Sequence, residues 1–421
     1  MKKITSAYSQ LNPLWIAVFV DILGFTIILP FLPLLAKQYS TNALTIGLLI
    51  ASNAIFGFVF SPILGKLSDR FGRKPLLLIS QAGTFIGFMI LAFSNSLQML
   101  FLARIIDGFF GGQFPISQAV IGDVVPPKER GRQMTNIGTA FTLAAVIGPG
   151  IGGVLSQYYG IIGPGLLASG IAMFAFIFTA LRLPETLPTK IANPPDWLVQ
   201  MKQYALTMSN PPQSSLLKNN KAIYILIMYS FIAIAAMTFQ STYSIFGAIR
   251  LNFSVAQIGF LFSAMGVFQV FFRFVLFNPI RDKLGDTKTA LIGLANYIFA
   301  YFLLGIVVGF VDMMLVLFYI SVAGAMSRGI ITAFASRVVD FRSQGKMMGL
   351  TTSIDNLSQI FGPIIGSVII LTGNGFLFSG LLSGLSLIAF IMSLRIPSFG
   401  FDTKNPPIPP KVYAQKPAMT T

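Results

Sequence analysis

Runs of about twenty apolar residues recur along this chain, and a sequence built that way has few folds open to it. Crossing the hydrocarbon core of a bilayer takes roughly 20 such residues. Twelve runs meet that need: Leu14–Leu35, Gly47–Leu64, Pro75–Phe93, Met99–Ile121, Met134–Leu155 and Ile161–Leu181, then Ala222–Ile249, Val255–Phe277, Ala290–Val311, Met313–Ala335, Met347–Leu371 and Gly375–Leu394. Each is expected to be a helix, because an unpaired backbone group in lipid costs several kcal/mol. Charged residues make up only 10% of the chain, whereas a soluble domain is roughly a quarter charged. The first run follows Met1-Lys2-Lys3 and is too long for a signal-peptide core, so it reads as a retained first span.

The net charge of +16 could suggest nucleic acid, but the basic residues form no stripe and no recognition motif. They sit in short loops between the apolar runs. Of the 29 Lys and Arg, two (Lys37 and Arg250) fall on one side and three (Arg104, Arg273 and Arg328) lie within spans, leaving 24 on the other side. The positive-inside rule then puts both termini in the cytoplasm of a plasma-membrane protein. Cysteine and histidine are both absent, which removes disulfides, the commonest metal ligands and the usual proton shuttle near neutral pH. No metal or cofactor is expected, and any proton-coupled step falls to carboxylates. No nucleophile–base set for an enzyme and no phosphate-binding loop for an ATP-driven pump is present.

The two halves of the sequence repeat one another. Gly148-Pro149-Gly150-Ile151-Gly152 is matched by Gly362-Pro363-Ile364-Ile365-Gly366, and Gly131-Arg132-Gln133-Met134 is matched at the same offset by Gly345-Lys346-Met347-Met348. Asp69-Arg70-Phe71-Gly72 and Asp282-Lys283-Leu284-Gly285 pair at an offset one position shorter. Such a repeat predicts two parallel six-helix halves about a pseudo-two-fold axis along the membrane normal, with a site between them at mid-depth. The expected divisions are a bundle over 1–183, a cytoplasmic linker over 184–221, a second bundle over 222–396 and a disordered tail over 397–421. Within the linker, Trp197, Met201, Tyr204 and Met208 recur at helical spacing. They read either as an amphipathic helix on the inner leaflet or as a flexible connection.

Several segments resemble the major facilitator superfamily. Gly65-Lys66-Leu67-Ser68-Asp69-Arg70-Phe71-Gly72-Arg73-Lys74 is similar to the family's signature between spans two and three, and Arg104-Ile105-Ile106-Asp107-Gly108 to its fourth-span motif. Gly148-Pro149 with Gly152-Gly153 resembles its fifth-span antiporter motif, with Ala144 in place of the usual first glycine. The first span, from Asp21 through Pro30 and Pro33, is similar to the start of drug–proton antiporters, the tetracycline exporters in particular. The resemblance implies an all-helical membrane fold of two six-helix bundles around a central cavity. It also implies that Gly65, Asp69, Gly72, Arg73, Asp123 and Asp282 act as a conformational latch between the halves, and that the helix bearing Gly148, Pro149, Gly152 and Gly153 bends to close the cavity. Arg337 holds the place before Gly345 that Asp123 holds before Gly131, so the latch is expected to be asymmetric.

A charge at the bilayer centre costs roughly 2.5–3.5 kcal/mol on insertion scales, so each deep one needs a reason. Arg104 and Asp107 are three apart and share a helix face; either could instead pair with Asp21. Asp21 or Asp107 is the expected proton-coupling carboxylate, its proton affinity set by burial and by Arg104; a permanent structural pair is the alternative. Gln269 with Arg273, Asp355 with Gln359, and Arg104, Gln113, Gln240 and Tyr243 are candidate cavity residues, although Arg273 could equally snorkel. The expected function is a secondary exporter, acting as a monomer, that expels an amphipathic small molecule in exchange for protons by alternating access. The alternative is an uptake symporter or facilitator for a polar nutrient.

Overall fold

A computed structural model describes residues 12–187, 219–339 and 343–396 of the chain. The linker segment bearing Trp197, Met201, Tyr204 and Met208, and the tail, lie outside the described residues. The first half runs α1 (Asn12–Ile28), α2 (Leu32–Tyr39), α3 (Ala43–Phe71), α4 (Arg73–Ala92), α5 (Leu97–Phe109), α6 (Gln113–Val124), α7 (Pro127–Tyr159) and α8 (Ile162–Arg182). The second runs α9 (Asn220–Arg250), α10 (Val255–Phe271), a π-helical turn (Phe272–Leu276), α11 (Phe277–Leu304), α12 (Phe310–Arg337), α13 (Gln344–Ile370) and α14 (Gly375–Ser393).

Ten helical stretches are long and apolar enough to cross a membrane, and the bent pair α1–α2 adds an eleventh. One of the ten, residues 255–304, runs for 50 residues. Straight, it would reach about 75 Å, far more than the roughly 30 Å hydrocarbon core. It is turned back at Gly285, whose φ of 78° is non-helical, and so accounts for two crossings. Twelve spans result among the described residues, and the chain is an integral membrane protein.

Side-chain caps set where several helices start. Asn42 accepts from Leu44 N and Thr45 N at the head of α3, and Asn374 does the same for Phe376 N and Leu377 N at α14. Ser254 and Gln257 form a reciprocal capping box on α10. Gly72, with φ 109°, makes the turn from α3 into α4, and Gly285 makes the matching turn at the equivalent place in the second half. Gly72 has a second constraint: a Cβ there would run into the Glu185 carboxylate, which caps α4 by accepting from Arg73 N at 2.9 Å and Lys74 N at 3.2 Å.

Two spans read as continuous are broken. Span one bends by 40° between α1 and α2, around Pro30 and Pro33, which lack the amide a helix needs. Span four breaks at Gly111-Gly112, and Ser61 Oγ donates to the freed Gly111 carbonyl at 2.6 Å. That rescue is what a broken helix at membrane depth requires.

The halves meet along α7 with α10 and along α3 with α13. A Cβ on Gly259 would strike the Pro149 carbonyl and Gly153, and one on Gly47 would lie 2.7 Å from Ile364 Cα and 3.0 Å from the Pro363 carbonyl. These crossings are the same contact made twice by the repeat. Both lie toward one end of the bundle, the sealed end, which also holds the starts of α3 and α10. The turns at Gly72 and Gly285 mark the other, charged end. Every ion pair between described residues lies within one half.

Candidate functional site

Within the first half, five elements deliver polar side chains to one place. Gly108 lets α5 approach α3 so closely that a Cβ there would lie 2.6 Å from the Asn53 carbonyl, and Gly87 admits α4 to the same helix with 3.1 Å to the Ala103 carbonyl. The approach brings Asn53 Nδ2 to 2.8 Å from Asp107 Oδ2. Arg104 Nη1 donates to the same oxygen at 3.1 Å, and its guanidinium lies over the Phe25 ring at 5.7 Å. Arg104 is 4% exposed and Asp107 8%, and at that burial each charge depends on the other.

The break after α5 carries the network onward. Gln113, the first residue of α6, donates from Nε2 to Thr84 Oγ1 at 3.0 Å. The Thr84 hydroxyl is turned to Asp107, and Gln113 also faces the half-buried Asp21 of α1. Asp21 and Asp107, unlinked in sequence, thus sit at the two ends of one chain of polar groups through Gln113 and Thr84.

The second half holds a counterpart. Arg328 Nη2 of α12 lies 2.8 Å from Asp355 Oδ1 of α13, and the Tyr229 hydroxyl of α9 reaches both Asp355 oxygens at 3.0 Å. Arg328 also lines a cavity of ≈280 Å³ shared by Gln269, Arg273, Arg281, Asp286 and Arg337.

At the charged end, Arg73 is the centre of the first-half cluster. It pairs with Asp69 at 2.5 Å and Asp123 at 2.8 Å, and Nη1 donates to Ser68 Oγ at 2.7 Å. Asp123 stands on α6 and Arg73 on α4, so the pair braces two helices of one half. In the second half Arg337 of α12 pairs with Asp286 of α11 at 2.8 Å. Asp286 holds the place in the repeat that Arg73 holds in the first half, and Arg337 holds that of Asp123, so the brace recurs with its polarity reversed. The expected asymmetry is an exchange of charges rather than the loss of one. Asp282 departs from its expected part: at 68% side-chain exposure it pairs with its neighbour Arg281 at 3.2 Å. It lies before the Gly285 turn, whereas Asp286 lies after it, on the returning helix that faces α12.

Other expected site residues fall differently. Gln269 and Arg273 share the second-half cavity, and Gln240 is half-buried. Tyr243 is not among the residues lining that cavity. It is 1% exposed and packs against Phe239 and Phe262, with ring centroids at 5.5 and 4.8 Å. Gln359 is exposed. Gly148 and Gly152 seat α7 on Thr26 and Ile27 of α1, while Gly153 faces α10 of the other half. Asn53, Thr84, Tyr229 and Asp286 were not singled out from the sequence. Asp286 had a signal in the repeat offset, whereas Asn53, a lone amide in an apolar run, had no spacing to mark it.

The sequence matches the family description "Major Facilitator Superfamily" over residues 14–249 and again over 225–417. It is 29% identical over 356 residues to the class H tetracycline resistance protein of Pasteurella multocida, covering 82% of this chain and 85% of that one. It is 26% identical over 359 residues to multidrug resistance protein 2 of Bacillus subtilis, covering 84% and 86%. Among solved structures, the human organic anion transporter MFSD10 superposes with a TM-score of 0.66 at 21% identity, over 92% of this chain and 99% of that one. That likeness speaks to the fold.

Proposed function

Because the chain belongs to the Major Facilitator Superfamily, we propose that this transporter is a proton-coupled exporter that expels an amphipathic small molecule by alternating access. The observation that carries the reading is the polar path from Asp21 to Asp107 through Gln113 and Thr84. A buried carboxylate is expensive in a membrane and marks a proton or ion route. Asp107 is held by Arg104 and Asn53, while Asp21 has no such counter-ion beside it among the described residues. A shift of α1 or α6 would change the path between the two acids, and with it which of them holds the proton. Efflux relatives named for tetracycline and multidrug resistance favour export over uptake.

With both termini in the cytoplasm, the charged end would face inward and the end closed by the two glycine crossings would face outward. The braces at Arg73–Asp123 and Asp286–Arg337 would then be the surfaces that meet when the inner end closes. Substrate would enter between the halves, and parting of the two glycine crossings would release it outside.

The test uses purified protein in proteoliposomes with an imposed pH gradient and cationic, neutral and acidic dyes. Dye movement should follow the gradient and fall to the level of empty vesicles in the Asp21→Asn/Asp107→Asn double variant. Movement that ignores the gradient would refute the proton-coupled reading, and gradient-driven movement that survives both substitutions would leave Arg104–Asp107 as a structural pair.

A further inference from the structure

The ≈280 Å³ cavity of the second half lies between α10, the π-helical turn, α11 and α12, and it carries more positive charge than its partners among the described residues neutralise. Four guanidinium groups stand on its wall, those of Arg273, Arg281, Arg328 and Arg337. Arg337 is matched by Asp286 at 2.8 Å, Arg328 by Asp355 at 2.8 Å, and Arg281 by Asp282 at 3.2 Å with Asp286 at 4.0 Å. Among the described residues four cations meet three carboxylates, and one positive charge is left over. That charge belongs to Arg273, which makes no ion pair with any described residue.

The local backbone is unusual at the same point. Arg273 is the second residue of the π-helical turn Phe272–Leu276, and such turns inside α-helices are rare and occur frequently at functional sites. Gln269, one turn earlier, adds an amide to the wall, and Phe277 and Ile330 add apolar surface. A guanidinium without a partner, an amide donor and a hydrophobic flank together suit one kind of guest. It has a single negative charge on a planar or tetrahedral oxygen group that a guanidinium fork can hold, joined to an apolar body.

We propose that this cavity binds the head of an amphipathic monoanion, a carboxylate, sulfonate or phosphodiester, with Arg273 as its counter-charge. The site lies in the half opposite the Asp21–Asp107 path, and its occupancy does not depend on proton coupling. The chemistry has two sources: a dissolved organic acid or the headgroup of an anionic lipid.

The experiment places the full chain in phosphatidylcholine nanodiscs. Binding of a fluorescent naphthalene sulfonate is compared with binding of its neutral sulfonamide. The native chain should prefer the sulfonate. Arg273→Gln should weaken that binding by about ten-fold, the loss of one charge-assisted hydrogen bond, and Arg273→Lys should keep most of it. Adding phosphatidylglycerol separates the sources. Displacement of the dye, with phosphatidylglycerol retained by the native chain but not by Arg273→Gln in native mass spectrometry, assigns the site to a lipid headgroup. Dye binding that persists assigns it to a dissolved acid. Gln269→Glu, which adds a carboxylate to the wall, should abolish both and serves should Arg273→Gln fail to fold. Equal sulfonate affinity and equal lipid retention in the native and substituted chains would overturn the proposal and make Arg273 a side chain that only extends toward the membrane surface.

Discussion

Arg73 reaches Asp123 across 2.8 Å in one half, and Asp286 reaches Arg337 across 2.8 Å in the other, with donor and acceptor exchanged between the helices. A brace of this kind works in either polarity, because attraction depends on the product of the charges and not on which helix carries which. Arg337→Asp should therefore set two carboxylates against each other and lower the melting temperature in detergent, while Asp286→Arg/Arg337→Asp should restore most of the loss. The coupling from the double-mutant cycle should be on the order of 1 kcal/mol, as befits a partly exposed pair. Zero coupling would mean that the contact braces nothing. The sequence pointed to Arg337 by its place before Gly345, but it pointed to Asp282 where Asp286 does the pairing. The motif match Asp69/Asp282 ranks positions by likeness, and a charge-exchanged partner is unlike its counterpart by definition. Asn53 was overlooked for a related reason: one amide in an apolar run has no spacing to betray it, and only the closeness allowed by Gly108 brings it to Asp107.

Among the helices, α7 has the most divided loyalties. Its Gly148 and Gly152 press on Thr26 and Ile27 of α1, and its Gly150 and Gly153 press on Ser263 and Gly259 of α10. Thr26 Oγ1 also donates to the Ala144 carbonyl at 3.0 Å, so Ala144, where the family usually has glycine, still lies against α1. Small residues permit such close backbone approach in membranes. Gly152→Val should cost on the order of 2 kcal/mol through overpacking, because the new side chain meets the Ile27 backbone, which cannot rotate aside. Gly138→Val on the same helix meets open space and should change thermal stability little. A similar loss in both variants would point to helix propensity instead of packing. The glycine–proline pattern was readable, but which glycine faces which neighbour was not, since spacing gives a face and not its partner. The breaks in spans one and four were marked by Pro30, Pro33 and Gly111-Gly112, yet unbroken hydrophobicity hid them. The π-helical turn at Phe272–Leu276 has no compositional mark.

At the scale of the molecule, the repeat is what the sequence made plainest, and it reappears as paired contacts. Gly259 meets Pro149 and Gly153, and Gly47 meets Pro363 and Ile364; the two glycines stand at nearly the same offset as the two prolines. Substituting both glycines with leucine should keep the sealed end from closing and shift the population to the opposite conformation. The chain has no cysteine, so spin labels at Leu44→Cys and Thr372→Cys report on that end without background. A longer distance in Gly47→Leu/Gly259→Leu is expected, and an unchanged distribution would mean that the crossings do not hold it shut. The seal also has a mechanical character of its own. Where backbone rests on backbone, cohesion comes largely from weak C–H···O contacts worth about 0.5–1 kcal/mol each, and few interlocked side chains need to disengage. Such a joint behaves as a bearing: it lets one bundle roll over the other with little friction, and leaves the direction of rolling to whatever binds between them.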